Sequence, residues 1–377
     1  MATQRIIDFL ATRRPSGPCL VVDLDVVEEN FNAFRKALPD SSIYYAVKAN
    51  PAPEILRLLA SLGSSFDCAS VAEIEMALDA GATAPRISYG NTIKKERDVA
   101  RAFELGVSLF AVDCVEEVEK VARAAPGARV FCRVLTNGEG AEWPLSRKFG
   151  CVPAMAIDVL ARAEALGLKA TGVSFHVGSQ QTNVEAWDSA VADAAFVFDT
   201  LAERGIQLTL VNMGGGFPTR YLKDVPSAAE YGRAIFEALR RHFGNRIPET
   251  IIEPGRGMVG DAGVIKAEVV LVSKKSVSDE NRWVFLDIGK FGGLAETMDE
   301  AIRYPIVTER DGDARSPCVL AGPTCDSADV LYEKTPYPLP VSLTVGDEIL
   351  IEGTGAYTTT YSAVAFNGFE PLRAYVI

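Results

Sequence analysis

The sequence predicts an α/β fold, a (β/α)8 barrel followed by an all-β domain, and three observations carry that prediction. From about residue 41 to residue 253, short apolar runs alternate with segments of helical period, and glycine or polar residues follow the runs. After about Gly260 the helical periods thin out and strand-like runs take over. The glycine clusters lack the spacing of a dinucleotide-binding turn, which argues against a doubly wound sheet. The predicted division is residues 24–259 for the barrel and 260–377 for the β domain, with an N-terminal strand from residues 1–23 joined to the latter.

The elements come in this order. Residues 1–17 read as a short helix and linker, Pro18–Asp23 as a strand, and Asp25–Ala37 as a helix. Ile43–Val47 is a short, mostly apolar run stopped by Pro51 and Pro53, hence a buried strand with Lys48 at its end. A helix over Glu54–Leu62 comes next. The alternation continues with strands at Ser65–Cys68, Ile87–Tyr89, Leu109–Val112 and Arg129–Val134, and helices at Val71–Ala80, Lys95–Leu105 and Val115–Ala124. A loop carrying Trp143 and Pro144 comes after them. Helices at Ala154–Leu166, Ala186–Arg204 and Ala228–Phe243 then separate strands at Gly172–His176, Leu208–Asn212 and Thr250–Glu253. In the second domain the strand-like runs are Val264–Ser273, Trp283–Asp287, Cys318–Ala321, Glu348–Glu352 and Leu372–Ile377.

Composition narrows the function. At 377 residues, with 48% hydrophobic and 23% charged residues, the chain fits a soluble two-domain enzyme. A net charge of −12, mixed along the chain, argues against nucleic acid or an anionic membrane as partner. The seven cysteines form no CxxC pair and their number is odd, which suits a reducing compartment rather than a disulfide framework. His176 and His242 are the only histidines, so no His-rich metal site is expected. Ile6–Leu10 is too short for a signal peptide, and a cytoplasmic location is expected.

Barrel enzymes carry their chemistry at the C-terminal ends of the strands, and the unusual residues fall there. Lys48, Asp67, Arg133, His176, the triplet Gly214–Gly216, and Glu253 with Arg256 just beyond it fall at or near strand ends. One such polar residue has a ready structural explanation: a snorkelling lysine, a core histidine, a tight glycine turn, or a Glu253–Arg256 ion pair. The series does not. A lysine with a depressed pKa at a strand end is a Schiff-base nucleophile. A glycine triplet late in the barrel with an arginine nearby is a phosphate cradle. A buried carboxylate keeps a ring nitrogen protonated, and a histidine stacks on a flat ring. Together these describe a pyridoxal phosphate (PLP) site.

The segments YYAVKAN, SFDCAS, GVSFHVGS, NMGGGFP, EPGR, GPTCDSAD and GAYTTTYSAVAFNGF resemble, in order and over nearly the whole chain, the fold-type III PLP enzymes. Within these the chain resembles the ornithine decarboxylase group, bacterial ornithine/lysine branch. The resemblance implies that Lys48 bears PLP, that His176 stacks on its ring and that Glu253 faces the pyridine nitrogen. It implies that Ser179, Gly216, Arg256 and Tyr357 bind the phosphate, that Gly255 is a cofactor-binding residue, and that Asp67, Glu73 and Arg133 support the cofactor. Cys325 would return a proton to the α-carbon after CO2 leaves, Asp326 would meet the distal amine of the substrate, and Phe366 would line the site. Of the acidic residues Glu296, Asp299 and Glu300, the resemblance points to Asp299 and Glu300 for the same amine. It further implies a head-to-tail homodimer with shared active sites. The expected reaction is decarboxylation of L-ornithine to putrescine, with L-lysine to cadaverine beside it. Pro144 departs from the eukaryotic enzymes, which have Arg there. Diaminopimelate decarboxylase is the nearest rival, but that group carries Cys-Glu-Ser where this chain has Cys325-Asp326-Ser327. Alanine racemase would need a tyrosine base in place of the Cys325 loop. A non-catalytic relative of the antizyme-inhibitor kind would be marked by loss of Lys48 or the cradle, and both are present.

Overall fold

The computed structural model describes residues 2–143 and 147–377, and Pro144 lies outside them. The chain divides into two compact units. One is Glu28–Pro218 with Val225–Met258; the other is Met1–Val27, Thr219–Asp224 and Val259–Ile377.

The first unit is a closed parallel barrel. Its strands run, in order around the barrel, Ser41–Ala46, Ser65–Cys68, Ile87–Tyr89, Leu109–Val112, Arg129–Arg133, Lys169–Ser174, Leu210–Asn212 and Glu249–Ile252, which pairs back onto the first. Tyr44, Leu109, Ala111, Phe131, Leu210 and Ile251 pack together as one buried cluster of strand residues, so the barrel is a core and not a pore. The helix Pro53–Leu62 shows how sequence sets local structure. Proline opens it, Ile55, Leu56, Leu59 and Ala60 give it a buried face, and Gly63 at φ 96° ends it with a left-handed cap. Ala228–Phe243 begins with a reciprocal cap between Ser227 and Glu230, worth about 1 kcal/mol.

The expected loop through Trp143 is in part a strand. Ala141–Trp143 pairs antiparallel with Ser179–Gln181 in a small ribbon, and Gln181 Nε2 donates to the Glu139 and Val177 carbonyls. Segments of three residues are too short to show an alternating pattern, so the sequence carries no sign of this ribbon.

The second unit is a mixed eight-stranded sheet. The N-terminal strand Cys19–Val22 pairs antiparallel with Gly263–Ser273 and parallel with Arg373–Val376. Two strands escape the sequence pattern, Ile306–Thr308 and Val330–Pro340. The latter holds Pro336, Pro338 and Pro340, which argue against a strand in sequence terms. It lies at the sheet edge, paired among the described residues only with Arg315–Ala321, and prolines two apart leave their missing N–H groups on one side of the strand. No described helix is long and apolar enough to cross a membrane.

Candidate active site

In the barrel unit, Lys48 follows its strand in a single 3-10 turn, Val47–Ala49, rather than ending the strand itself. Its side chain is 47% exposed. The turn lifts Lys48 to the rim, where Nζ lies 3.5 Å from Asp67 Oδ2. Asp67 is buried and accepts the Ser88 hydroxyl at 3.3 Å. Gly90 makes that burial possible, since a Cβ there would sit 1.9 Å from Asp67 Oδ1. Glu73 closes a local cap: its backbone N–H donates to Ser70 Oγ and its carboxylate accepts the Ala69 N–H at 2.7 Å. Burial pushes the Glu73 carboxyl upward.

Glu253 sits just past the last barrel strand, and Asn212 Nδ2 donates to its Oε1. Burial first, and the Asp67 carboxylate second, push the Glu253 pKa up to about 7, against the pull of Lys48, Asn212 and Arg133. Arg133 is held below its usual value by burial, while Glu253 and Asp67 oppose that shift. Its guanidinium lies 5.4 Å from the centroid of the Phe149 ring. His176 accepts the Gly178 N–H at Nδ1, and burial, Arg133 and Lys48 lower its pKa to about 3. The imidazole is therefore a neutral, fixed plate over the physiological range.

The glycine triplet is required by close backbone approach. A Cβ at Gly214 would meet the Phe175 carbonyl at 2.0 Å, and one at Gly216 would meet the Gly178 carbonyl at 2.6 Å. Gly214 and Gly216 also take φ of 65° and 106°. Arg256, 3% exposed, opens a short helix after Gly255 and donates from Nη2 to Ser179 Oγ at 3.1 Å. The barrel unit thus gathers an amine, a buried Asp67 with the half-buried carboxylates Glu73 and Glu253, a neutral imidazole, and a glycine turn with an arginine and a hydroxyl. This set fits PLP: the amine suits an aldehyde, Glu253 a protonated ring nitrogen, and the guanidinium with its hydroxyl a phosphate. Asn212 is the member that sequence reasoning missed. It is fully buried and links Glu253 to the glycine turn, since its Oδ1 accepts the Gly214 N–H at 3.0 Å. A polar residue ending the Leu210–Asn212 strand was the available signal.

In the β unit, Cys325 and Asp326 stand exposed on the loop between Arg315–Ala321 and Val330–Pro340. Asp326 Oδ1 accepts the Ala328 N–H at 2.8 Å. Phe366 packs on Phe291 with ring centroids 4.8 Å apart. Both rings line a cavity of about 330 Å³ together with Pro323 and Thr324. Tyr357 takes a left-handed φ of 55° in the same unit. The two acidic candidates are already engaged within this unit. Glu300 accepts the N–H groups of Glu333, Lys334 and Thr335 and pairs with Arg303, so it anchors the edge strand. Asp299, 84% exposed, pairs with Lys334.

Residues 24–260 match the family model "Pyridoxal-dependent decarboxylase, pyridoxal binding domain". The chain is 37% identical over 372 residues to the lysine/ornithine decarboxylase of Selenomonas ruminantium, covering 97% of this chain and 91% of that one. It superposes on a crystal structure of SrLDC in complex with PLP and cadaverine with a TM-score of 0.89 and 35% identity, covering 100% of this chain and 94% of that one. It also superposes on the Vibrio vulnificus lysine/ornithine decarboxylase complexed with putrescine, with a TM-score of 0.87 and 30% identity, over 100% and 99% of the two chains.

Proposed function

The chain belongs to the pyridoxal-dependent decarboxylases acting on basic amino acids, and from that membership we propose that it converts L-ornithine to putrescine and CO2, with L-lysine to cadaverine as a secondary reaction. The observation that carries the proposal is the adjacency of Cys325 and Asp326 on one exposed tip, a proton donor beside a carboxylate suited to an ammonium group. PLP, when bound, supplies an aldehyde for the amine and a protonated ring that draws electrons from the bond to be broken.

This chain's own residues do the rest. Lys48 would hold the aldehyde carbon until a substrate amine displaces it. Glu253 would ionise against the ring nitrogen, a proton relation its raised pKa makes responsive. His176, neutral and fixed by Gly178, would cover the ring face. Ser179, Gly216, Arg256 and Tyr357 would hold the phosphate and Gly255 would bind the cofactor, with Asp67, Glu73 and Arg133 fixing its surroundings. Cys325 would donate a proton to the α-carbon once CO2 has left. Asp326 would bind the distal ammonium, and Phe366 would line its aliphatic path. A head-to-tail dimer accounts for the exposure of the Cys325–Asp326 tip in a single chain, because the tip then completes the partner's site.

A carboxylate left without its ammonium partner in a closed site is costly, so neutral tails such as leucine are rejected strongly. One methylene changes binding by only about 1–3 kcal/mol, so lysine retains some activity. The test is kcat/KM for ornithine, lysine, arginine and diaminopimelate, repeated with Asp326→Asn. Ornithine is expected to rank first, and the variant to lose most activity on both ornithine and lysine. Diaminopimelate as the best substrate, or unchanged selectivity in Asp326→Asn, overturns the reading.

A further inference from the structure

An exposed hairpin loop ordinarily has low local stability. The loop carrying Cys325 and Asp326 is instead tied down from two sides. On its inner side is Asp329, 2% exposed. Its Oδ1 accepts the Lys290 N–H at 2.8 Å, and its Oδ2 accepts the Thr324 hydroxyl at 2.7 Å and the Thr324 N–H at 3.2 Å. Two glycines make room for this carboxylate. A Cβ at Gly289 would lie 2.1 Å from Asp329 Oδ1, and one at Gly322 would lie 2.3 Å from Oδ2. On the outer side, Asn367 Oδ1 accepts the Cys325 N–H at 2.8 Å. Asn367 belongs to the turn Phe366–Gly368 and holds φ at 51°, and Ala365 before it holds 54°.

The hairpin does not need these ties to close. The Gly322 N–H already donates to the Asp329 carbonyl at 2.8 Å, continuing the strand ladder. A left-handed alanine costs energy that a freely chosen turn would avoid, and such strain concentrates where geometry is functional. The ties also act on the residue whose placement matters, since one of them ends on the backbone of Cys325 itself. Three segments distant in sequence, around Lys290, Thr324 and Asn367, thus meet at the tip.

We propose that Asn367 and Asp329 are positioning residues that hold the Cys325–Asp326 tip in its reacting geometry, Asn367 through the Cys325 amide and Asp329 through Thr324 and Lys290. The proposal rests on the reading of Cys325 as proton donor. A proton donor displaced by about 1 Å loses on the order of 100-fold in rate. With the thiol misplaced, the α-carbon would go unprotonated, and PLP, when bound, would supply a route by hydrolysis to an aldehyde and aminated cofactor in place of the amine.

The deciding variant is Asn367→Gly. Asn367 is exposed, and glycine accepts its φ, so the acceptor is lost without steric strain, although the backbone is also freed. Asn367→Asp returns an acceptor, and Asp329→Asn probes the inner tie. In cofactor-free protein, amide hydrogen exchange over residues 322–329 is expected to quicken by about 10-fold or more at Cys325 in Asn367→Gly and to return in Asn367→Asp. In the holoenzyme the aldehyde share of product should rise in Asn367→Gly toward that of Cys325→Ala, while kcat falls by roughly 10–100-fold. Parental exchange and parental product ratio in Asn367→Gly overturn the proposal, whether or not Asp329→Asn folds. Faster exchange with a parental product ratio also overturns it, because the tie is then structural only. A Cys325→Ala protein that makes only the amine at the parental rate removes the underlying reading, a result separate from the exchange measurement.

Discussion

Replacing Glu253 by glutamine should stabilise the cofactor-free protein at neutral and alkaline pH while disabling the enzyme. In the folded barrel the carboxyl titrates at about 7 instead of 4.5, chiefly because it is buried and secondly because Asp67 lies near. The folded state therefore holds this proton more tightly than the unfolded chain does. Between pH 4.5 and 7 the folded form binds more protons, so stability from this group is fully present below 4.5 and is lost as pH rises through 7. At 1.36 kcal/mol per pH unit, the displacement from 4.5 to about 7 corresponds to about 3 kcal/mol. Glutamine resembles the protonated acid and keeps an oxygen for Asn212 Nδ2. The assay is urea unfolding of both cofactor-free proteins from pH 4 to pH 8.5. Burial raises other carboxyls too, among them Glu73 and Asp287, so the difference between the two proteins is the informative quantity. That difference should be near zero at pH 4 and grow to about 3 kcal/mol in favour of Glu253→Gln above pH 7.5. A flat difference, or a variant less stable at pH 8, would refute the assignment of a proton-holding carboxyl. Activity should fall at the same time, since a neutral amide cannot keep a ring nitrogen protonated.

Borohydride reduction of the holoenzyme followed by peptide mapping should mark Lys48, and a label on any other lysine removes it from the cofactor role. Mixing inactive Lys48→Ala with Cys325→Ala subunits, which form little amine, should restore about a quarter of wild-type amine production if the sites are shared and subunits exchange at random. No recovery despite demonstrated exchange argues against sharing. Away from the site, Lys94 is buried, its pKa lowered to about 8 by desolvation, and it pairs with the buried Glu117 at 2.9 Å. Glu117→Leu strands that ammonium and should cost about 3–5 kcal/mol in denaturant unfolding at pH 7. A loss under 1 kcal/mol would show that Lys94 gives up its proton instead.

The strand ends were legible because a barrel writes each of them as an apolar run followed by a break, and Lys48, Asp67, His176, the glycine triplet and Glu253 sit at those breaks. The bonds between partners far apart in sequence left no such mark. Asn212 meets Glu253 at a separation of 41 residues, and Asn367 meets Cys325 at 42. Neither residue type has a period or motif that announces such a bond. Edge placement was equally hidden, which is why the proline-bearing strand Val330–Pro340 did not read as one.

The sequence by itself determined the barrel, the all-β character of the second domain, and the residue types placed at each strand end, because these depend on local periodicity and on glycine and proline. Only the tertiary structure decided the state of those residues. It raised Lys48 to a half-exposed rim, withdrew Glu300 into backbone and Arg303 contacts, and gave Glu253 a pKa near 7. Exposure, hydrogen-bond saturation and the energy of an ionised group depend on which distant atoms close around it, and a linear order of residues does not contain that arrangement.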